Sequence, residues 1–480
     1  MNLLKNAIRR MLPKKIRQMM SMSYRQQWYE IRSSLWVLPA IYIMLAAILS
    51  VAAYWAEFGL QPAFNSLPVF STEYSLAQTM YSTILSGVLT LNAFTFNSIL
   101  VVLTSFSGQF TPRVLFNFIA DRRTQHSIGI FNLCFFFLLF VFFFLDSSMS
   151  EYVIFPISGV IMTSISVINF ILFINHATKW MQVSSITNSM KEESQLRILN
   201  TLVYDLEPYR PQDPERVFRE KTHGEAHVVA SERTGFLQVV DFGKLIREAR
   251  KDGIVIQMER RVGDFVMEGI TLFKYWKTDS SADMAINEQK FRQFLYLGHS
   301  KTEVQDLEFG IRKLTEIAIK SIGNDEPMTA QDAIYQLTDL LFSISKVTKF
   351  TPYLTDDDET LRLIMQNEEF SFYVYSAFSH IASYSENDPV VTNSLLEALV
   401  ILSKALNTKD KNCCWHYGKV IARGFTGQFK YDYDQLKFVN NIEALSENSD
   451  DKESFRSFVR DFIDRGVIQE KHIPERQYKD

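Results

Sequence analysis

Four long apolar runs in the first 177 residues constrain this chain more than any other feature of its sequence. A hydrocarbon core takes about 20 consecutive apolar residues to cross, and a buried helix of a soluble protein seldom runs so long without a charge. Each run therefore predicts a membrane-spanning helix. The first predicts a retained anchor, because no compact small-residue cleavage site closes it. The predicted spans cover residues 35–56, 82–106, 128–145 and 153–175.

The placement of Lys and Arg predicts how these spans are oriented. Basic residues precede span one, return between spans two and three, and follow span four, whereas the loops 57–80 and 146–152 contain none. Positive charge favours the cytoplasmic side of a membrane. The pattern predicts a multi-pass protein of the cytoplasmic (inner) membrane with both termini in the cytoplasm. A short helix on the inner surface is predicted after span two, and the residues expected to contact anionic headgroups are Arg113, Arg122 and Arg123.

Charge and hydropathy divide the chain into segments. The net charge of −4 averages a basic amino terminus against an acidic carboxyl half, so it gives no reason to expect a nucleic-acid partner. The predicted fold is mainly α, with a four-helix transmembrane domain followed by a cytosolic region that has a small β module and a helical C-terminal domain. The segments are a basic N-terminal segment 1–34, the four-span domain 35–177, a helical linker 178–225, the β module 226–277 and the helical domain 278–480.

Polar residues in span two form a stripe. At 100° per residue they fall within one arc of about 100°. The apolar residues outside this arc are Leu85, Val88, Leu91, Phe96, Ile99, Val102, Leu103 and Phe106. One interpretation is helix packing, since small and hydroxyl residues let backbones approach. The other is a water-lined path, because an unpartnered amide in hydrocarbon is costly. The candidate polar membrane face comprises Ser82, Ser86, Thr90, Asn97 and Thr104, with Asn169 of span four on a neighbouring arc; Asn92, Thr95 and Ser98 are expected to touch other neighbours.

The remaining spans add two expectations. Span three is rich in Phe and is expected to face lipid. No Asp, Glu, Lys or Arg lies inside any predicted span, whereas ion-coupled pumps usually need ionisable groups within the membrane. The sequence therefore favours a neutral pore or a plain anchor over a pump.

The sequence of the predicted cytosolic half indicates β-strands followed by helices. Short β-like runs between residues 227 and 275 predict a small barrel or sandwich, which could bind a ligand but more often serves assembly. From Met284 onwards the pattern is helical, with a capping box at Ser300 and Glu303 and a further helix over residues 361–384. Three charged positions either contact a ligand or subunit or lie on a solvated helix face: Asp306, Glu308 and Arg312.

The sequence offers few candidates for metal binding or catalysis. Cys413, Cys414 and His416 could supply soft metal ligands, and His223 and His227 are four residues apart, but neither group completes a tetrahedral set. The three cysteines predict reduced thiols. No phosphate-binding loop, nucleophile elbow or paired-carboxylate signature is present. We predict no metal, no cofactor and no enzymatic activity.

Several blocks resemble an uncharacterised bacterial family of predicted four-span membrane proteins with a cytosolic C-terminal domain. The resemblance runs in order to about residue 345 and departs from the family pattern at the turn Asn324-Asp325-Glu326-Pro327. It implies a cytoplasmic-membrane protein with a cytosolic domain and no assigned activity. The blocks are RSSLWVLPA (32–40), FSGQFTPRVLFNFIADRRTQHSIGIF (106–131), RTGFLQVVD (233–241), RRVGDFVMEG (260–269) and GHSKTEVQDLEFGIRKLTEIAIKSIGNDEPMTAQDAI (298–334).

Three hypotheses for function follow. The first is an oligomeric neutral-pore channel, in which the polar stripe lines a path between copies of the chain and the cytosolic region assembles or gates it. The second is a membrane-anchored sensor or scaffold without transport activity. The third is a membrane enzyme or lipid-handling protein. The expected partners are the lipid bilayer and further copies of the same chain, and the sequence does not identify a small-molecule ligand.

Overall fold

In a computed structural model, the chain divides into two compact units, residues 1–186 and 187–480. The structure describes residues 37–59, 71–109, 118, 121–149, 151–180, 182–219, 225–278, 285–302, 304–347, 350–367, 369–449 and 452–469.

The first unit contains four helices that are long and apolar enough to cross a membrane. Two short strands, β1 (Thr72–Glu73) and β2 (Glu151–Tyr152), pair antiparallel and join the segments before the second and fourth helices. The second helix is much longer than predicted, because its polar first turns continue the helix that the apolar run defines. The helices are α1 (Val37–Gly59), α2 (Tyr74–Gln109), α3 (Arg122–Phe143) and α4 (Ile154–Trp180).

Helix α3 is the most buried of the four, so the expectation that span three faces lipid was wrong. Within the apolar windows, 44% of α3 residues are buried, compared with 17–22% in the other three helices. Helix α3 packs against α1, α2 and α4, and Phe131 and Phe137 are fully enclosed. Composition could not reveal this, because lipid tails are as apolar as a protein interior.

Glycine residues allow two pairs of helices to pack closely. A β-carbon at Gly129 of α3 would lie 2.3 Å from the ring of Tyr42, so only glycine lets α1 pack there. The Tyr42 hydroxyl also hydrogen-bonds to His126 Nδ1 at 2.9 Å. At Gly159 of α4 a β-carbon would lie 3.1 Å from the Tyr81 ring of α2. Small residues at membrane helix contacts allow the backbones to approach closely.

The carboxylate of Glu57, near the end of α1, accepts hydrogen bonds from the start of α4. Its side chain is 2% exposed, and its two oxygens receive the backbone N–H groups of Val153 at 2.9 Å and Phe155 at 2.7 Å. Tyr81 of α2 donates its hydroxyl to the Phe155 carbonyl at 2.6 Å. The first N–H groups of a helix have no intrahelical partner. Helices α1 and α2 therefore supply the polar partners that the buried beginning of α4 needs.

The second unit begins with helical segments and two sheets. Helix α5 (Val183–Asn200) continues into a π-helical turn, Thr201–Leu206, and α6 (Pro214–Arg219) follows. A mixed five-stranded sheet has the order β3-β7-β5-β10-β9, with only the β5–β10 pair parallel, and a three-stranded antiparallel sheet has the order β6-β4-β8. The strands are β3 (His227–Ala230), β4 (Gly235–Val240), β5 (Ile254–Met258), β6 (Phe265–Val266), β7 (Thr271–Lys277), β8 (Leu295–Gly298), β9 (Tyr353–Thr355) and β10 (Leu361–Ile364).

Three of these strands come from the part of the sequence whose pattern predicted helix. Strand β8 pairs with β4, while β9 and β10 extend the larger sheet past β5, so residues 227–275 do not form a closed barrel by themselves. The predicted helix 361–384 begins at Phe370, because residues 361–364 pair with β5 more than 100 residues earlier. Strands this short carry almost no periodic signal.

Helices complete the second unit. Helix α9 (Leu307–Gly323) has Asp306 as its N-cap, with the carboxylate accepting the Phe309 N–H. The predicted capping box of Ser300 and Glu303 therefore does not begin this helix, and Glu303 lies outside the described residues. The helices from α9 onwards pack on one another in a bundle with a continuous apolar interior. They are α7 (Phe242–Lys251), α8 (Glu288–Arg292), α9 (Leu307–Gly323), α10 (Pro327–Val347), α11 (Phe370–Tyr384), α12 (Pro389–Ala405), α13 (Thr408–Gly424), α14 (Asp432–Asn448) and α15 (Lys452–Asp464).

Replacing Glu57 tests the polar contact between α1 and α4. Glu57→Ala leaves two buried backbone donors without their acceptor and is expected to lower the free energy of unfolding by about 1–3 kcal/mol. Glu151→Ala is the matched control, since Glu151 lies in β2 close to the same contact and is exposed. Unfolding of the purified protein in mixed detergent measures both. Equal stability of the two variants would show that the carboxylate does not support α4.

Candidate functional site

Eight positions on α2 form one exposed line along the helix. They recur at alternating intervals of four and three residues, and all eight are exposed. Seven of the eight are Thr, Ser, Ala or Asn. We call this line the α2 seam; it comprises Thr79, Thr83, Ser86, Thr90, Ala93, Asn97, Leu100 and Thr104.

The α2 seam lies opposite the face that packs into the first unit. The buried positions Ala77, Tyr81, Val88, Thr95 and Val102 each precede a seam position by two residues. Two residues correspond to about 200° around a helix. Asn92 is also buried, at 7% exposure. Asn92 and Thr95 thus lie on the buried face of α2, away from the exposed seam, and the expectation that they touch other neighbours is consistent with their burial.

Most hydroxyls of the seam bond to their own helix. Thr79, Thr83, Thr90 and Thr104 each donate to the carbonyl four residues earlier at 2.8–3.0 Å, and the exposed Ser82 beside the seam donates to the Thr79 carbonyl at 2.9 Å. Such bonds satisfy a hydroxyl in an apolar environment without a second helix. The side-chain amide of Asn97 is exposed and makes no hydrogen bond to the residues that the structure describes.

Asn169 does not join the other predicted face residues. It is 5% exposed, and its amide donates to the Ser127 carbonyl of α3 at 3.0 Å. The neighbouring Ser166 is fully buried as well. Asn169 therefore links α4 to α3 inside the first unit, whereas Ser82, Ser86, Thr90, Asn97 and Thr104 lie exposed on α2.

The predicted headgroup contacts fall at the start of α3. Arg122 and Arg123 are its first two residues and are exposed, so they belong to the third helix rather than to a separate surface helix. Arg113 and nearly all of the segment predicted to form the short surface helix lie outside the described residues, so that helix stays a prediction. Asp121 caps α3 and bonds to His176 of α4 at 2.8 Å, and the His176 ring stacks against Phe118. This polar pair joins α3 to α4 next to the two arginines.

The cysteines of the second unit are poor candidates for chemistry. Burial raises the pKa of the Cys413 thiol to about 12, and it also raises the pKa of the buried Cys414. A thiol needs a lowered pKa to act as a nucleophile at neutral pH. Within the described part of the chain, no group of three or more His, Cys, Asp or Glu side chains could hold a metal ion.

The regular spacing of the seam was present in the sequence but is easily missed. A stripe at 100° per residue also includes Ser82, whereas intervals of four and three residues single out the line from Thr79 to Thr104 and are typical of the contact line between two helices. Exposure adds what the sequence cannot give. It identifies which of the two polar sets on α2 faces away from the core.

Asn169 and Asn97 allow a matched comparison of a buried and an exposed asparagine. Asn169→Leu removes a hydrogen bond within the protomer and is expected to destabilise it by about 0.6 kcal/mol, the average for such bonds in a membrane. Asn97→Leu removes no contact within the protomer and is expected to leave its stability unchanged. Unfolding in mixed detergent at low protein concentration compares them. A larger loss for Asn97→Leu than for Asn169→Leu would contradict the assignment of the two side chains.

Comparison with known proteins agrees with this architecture. Curated relatives include uncharacterized proteins of Mycobacterium bovis and of two strains of Mycobacterium tuberculosis, each 23% identical over 240 residues. The match covers 49% of this chain and 45% of each relative, so it spans less than half of their length. No solved structure matches significantly. The family described as "Predicted membrane protein (DUF2254)" matches residues 32–400, which confirms the resemblance, and the chain belongs to this family of predicted membrane proteins.

Proposed function

We propose that the protein is a symmetric homo-oligomer of the cytoplasmic membrane in which the α2 seams face one another and line a neutral, channel-like path. The observation that carries this proposal is the exposed line of small and polar residues on the side of α2 opposite its core. A lone protomer would present this line to lipid. A ring of copies would instead place it at the centre of the assembly.

The length of the seam supports a path across the whole membrane. Thr79 and Thr104 are separated by about 38 Å at 1.5 Å per residue, which exceeds the roughly 30 Å of a hydrocarbon core. Asn97 supplies the strongest reason for a partner, because an amide without a hydrogen bond is costly in hydrocarbon. In an assembly it would meet another Asn97 or water.

The absence of charge along the seam favours a neutral path. The α2 sequence contains no Asp, Glu, Lys or Arg. In α1, α3 and α4 the charged residues lie near the helix ends: Glu57, Arg122, Arg123 and Lys179. Coupled pumps usually place ionisable groups within the membrane. A pathway for uncharged or weakly selected solutes suits this chain better than a pump.

A membrane-anchored sensor or scaffold without transport activity is the second candidate. The hydroxyls of Thr79, Thr83, Thr90 and Thr104 already bond to carbonyls of α2, so the seam can pack dry against another helix. In that case the oligomer remains and the path closes. Both candidates need lipid and further copies of the chain as partners, and neither requires enzymatic activity or nucleic acid.

The proposed orientation places both termini in the cytoplasm, because the basic flanks all fall on one side of the four helices. A reporter fused after Lys179 is expected to behave as cytoplasmic, and one inserted near Asn65 as external. Alkaline phosphatase and a fluorescent protein report the two sides in whole cells. External activity of the fusion after Lys179 would contradict this orientation.

Thiol labelling separates a wet path from dry packing. Single cysteines are introduced by Ser86→Cys, Thr90→Cys, Asn97→Cys and Thr104→Cys in a chain whose Cys134, Cys413 and Cys414 are replaced by serine. A water-filled path predicts that a charged maleimide labels these positions in native membranes, because the reactive thiolate forms only in water. Val88→Cys is the matched control on the same helix, since Val88 is 1% exposed and points into the core.

The result decides between the two candidate functions. Labelling along the seam with none at position 88 supports the channel. Unlabelled seam positions in an intact oligomer, with no solute flux in reconstituted vesicles, would contradict it and leave the anchored scaffold.

A further inference from the structure

A cavity of about 250 Å³ lies within the second unit. Four arginines contribute to its wall, and they come from three separate parts of the chain: Arg210, the pair Arg260 and Arg261, and Arg312. Arginine is always charged at physiological pH and is costly to bring together with its own kind. Their convergence around one space therefore needs a reason.

The fold holds these segments together through Gln305 and Asp306, just before α9. The side chain of Gln305 is 4% exposed; it accepts the Val240 N–H at 2.8 Å, and donates to the Val240 carbonyl at 3.1 Å and to Asp205 at 3.3 Å. The start of α9 is thereby fixed to β4 and to the π-helical turn. A buried side chain that satisfies both backbone groups of a strand residue is a strong positional constraint.

A turn that contains Gly263 brings Arg260 and Arg261 close to the start of α9. Gly263 has a φ of +95°, and a β-carbon there would lie 2.4 Å from an Asp306 carboxylate oxygen. Only glycine allows the turn of residues 260–264 to approach α9 this closely. The turn is further closed by Asp264, which accepts the Arg261 backbone N–H at 2.8 Å.

Three carboxylates share the cavity wall with the four guanidinium groups. Glu308 pairs with Arg312 at 2.5 Å and accepts the Ser376 hydroxyl at 3.0 Å. Asp264 and Asp306 accept backbone N–H groups of Arg261 and Phe309. Burial raises the pKa of Asp306 to about 6, so near neutrality it is less fully ionised than an exposed carboxylate. Arg210 in addition pairs with Glu207 at 3.5 Å, whereas Arg260 has no ion pair with a described carboxylate, so Arg260 brings an uncompensated positive charge to the lining.

Different contacts position Arg260 and Arg261 at the cavity. Arg260 donates through Nε to the Thr271 carbonyl at 3.3 Å and makes no ion pair with any residue in the described part of the chain. Arg261 donates through Nη2 to the Asn367 carbonyl at 3.3 Å, and its guanidinium lies 4.6 Å from the centre of the Phe372 ring. Because Arg260 is held through Nε, the other nitrogens of its guanidinium still offer N–H donors in a planar fork.

Another part of the cavity wall is aromatic. Phe350, Phe372 and Tyr373 all line the cavity, and the Phe350 and Tyr373 ring centres are 6.1 Å apart. Phe350 has a φ of +48°, in the left-handed region that non-glycine residues rarely adopt. Strained backbone of this kind persists where the surrounding structure enforces it, and it clusters at ligand sites.

We propose that this cavity binds a small organic anion in which a phosphate or carboxylate group is joined to a planar ring. Arg260 and Arg261 would hold the oxyanion, because the guanidinium fork matches the oxygens of both groups. The rings of Phe350 and Tyr373 would contact the planar part. This ligand site goes beyond the proposed membrane assembly and does not depend on it.

Phenyl phosphate is the probe that joins both features. Calorimetry on the full chain in detergent is expected to show saturable binding of one phenyl phosphate per chain, at least about tenfold tighter than inorganic phosphate, which lacks the ring. Benzoate in a parallel titration distinguishes a carboxylate ligand from a phosphate ligand. Phenol, which has the ring without the anion, is expected not to bind.

Variants locate the binding. Arg260→Gln is expected to weaken phenyl phosphate binding by at least about tenfold, whereas Arg233→Gln, an exposed arginine of the same unit away from the cavity, leaves it unchanged. Arg260→Lys keeps the charge without the fork and should bind with intermediate affinity; it also serves if Arg260→Gln fails to fold. Absence of saturable binding of both phenyl phosphate and benzoate, or binding that neither Arg260 variant weakens, would overturn the proposal.

Discussion

Lipid offers no hydrogen bonds, so every polar group of a membrane helix needs a partner from the protein, and this constraint organises the first unit. Glu57 of α1 accepts two backbone N–H groups at the start of α4, while Tyr81 of α2 donates to a carbonyl in the same turn. Three helices thus meet at one polar contact beside the paired strands β1 and β2. Elsewhere in the unit, Asn169 ties α4 to α3, and apolar packing around α3 fills the space between.

The same need for hydrogen-bond partners applies to the polar groups of the α2 seam. Four of its five hydroxyls bond to carbonyls of α2, but the exposed amide of Asn97 makes no hydrogen bond to the described residues. The seam also faces directly away from the core, which leaves lipid, water or a second copy of the chain as its neighbour. A second copy fits the regular spacing of small residues, because intervals of four and three residues are those at which two helices interlock.

The sequence predicted what depends on long, periodic patterns. Four spans follow from apolar length, and the division of α2 into two polar sets follows from residues such as Thr90 and Asn92. The burial of α3 could not be predicted, because Phe137 would look the same in lipid. Strands β9 and β10 were missed because YLT, at residues 353–355, and LRLI, at residues 361–364, are too short to show a period. The cavity could not be predicted from the sequence for a related reason. Arg260 and Arg312 come together only through the turn at Gly263 and the long-range hydrogen bonds of Gln305.

Intersubunit distances in liposomes decide most directly whether a second copy of the chain covers the α2 seam. Spin labels are attached to Ala93→Cys on the seam and, in a separate sample, to Leu172→Cys on the exposed side of α4, where the native leucine is 61% exposed. Both variants lack the native cysteines. Pulsed dipolar spectroscopy is expected to give a shorter, narrower distance between copies at position 93 than at position 172. A longer distance at position 93, or no dipolar signal between copies at either position, would contradict an assembly through α2.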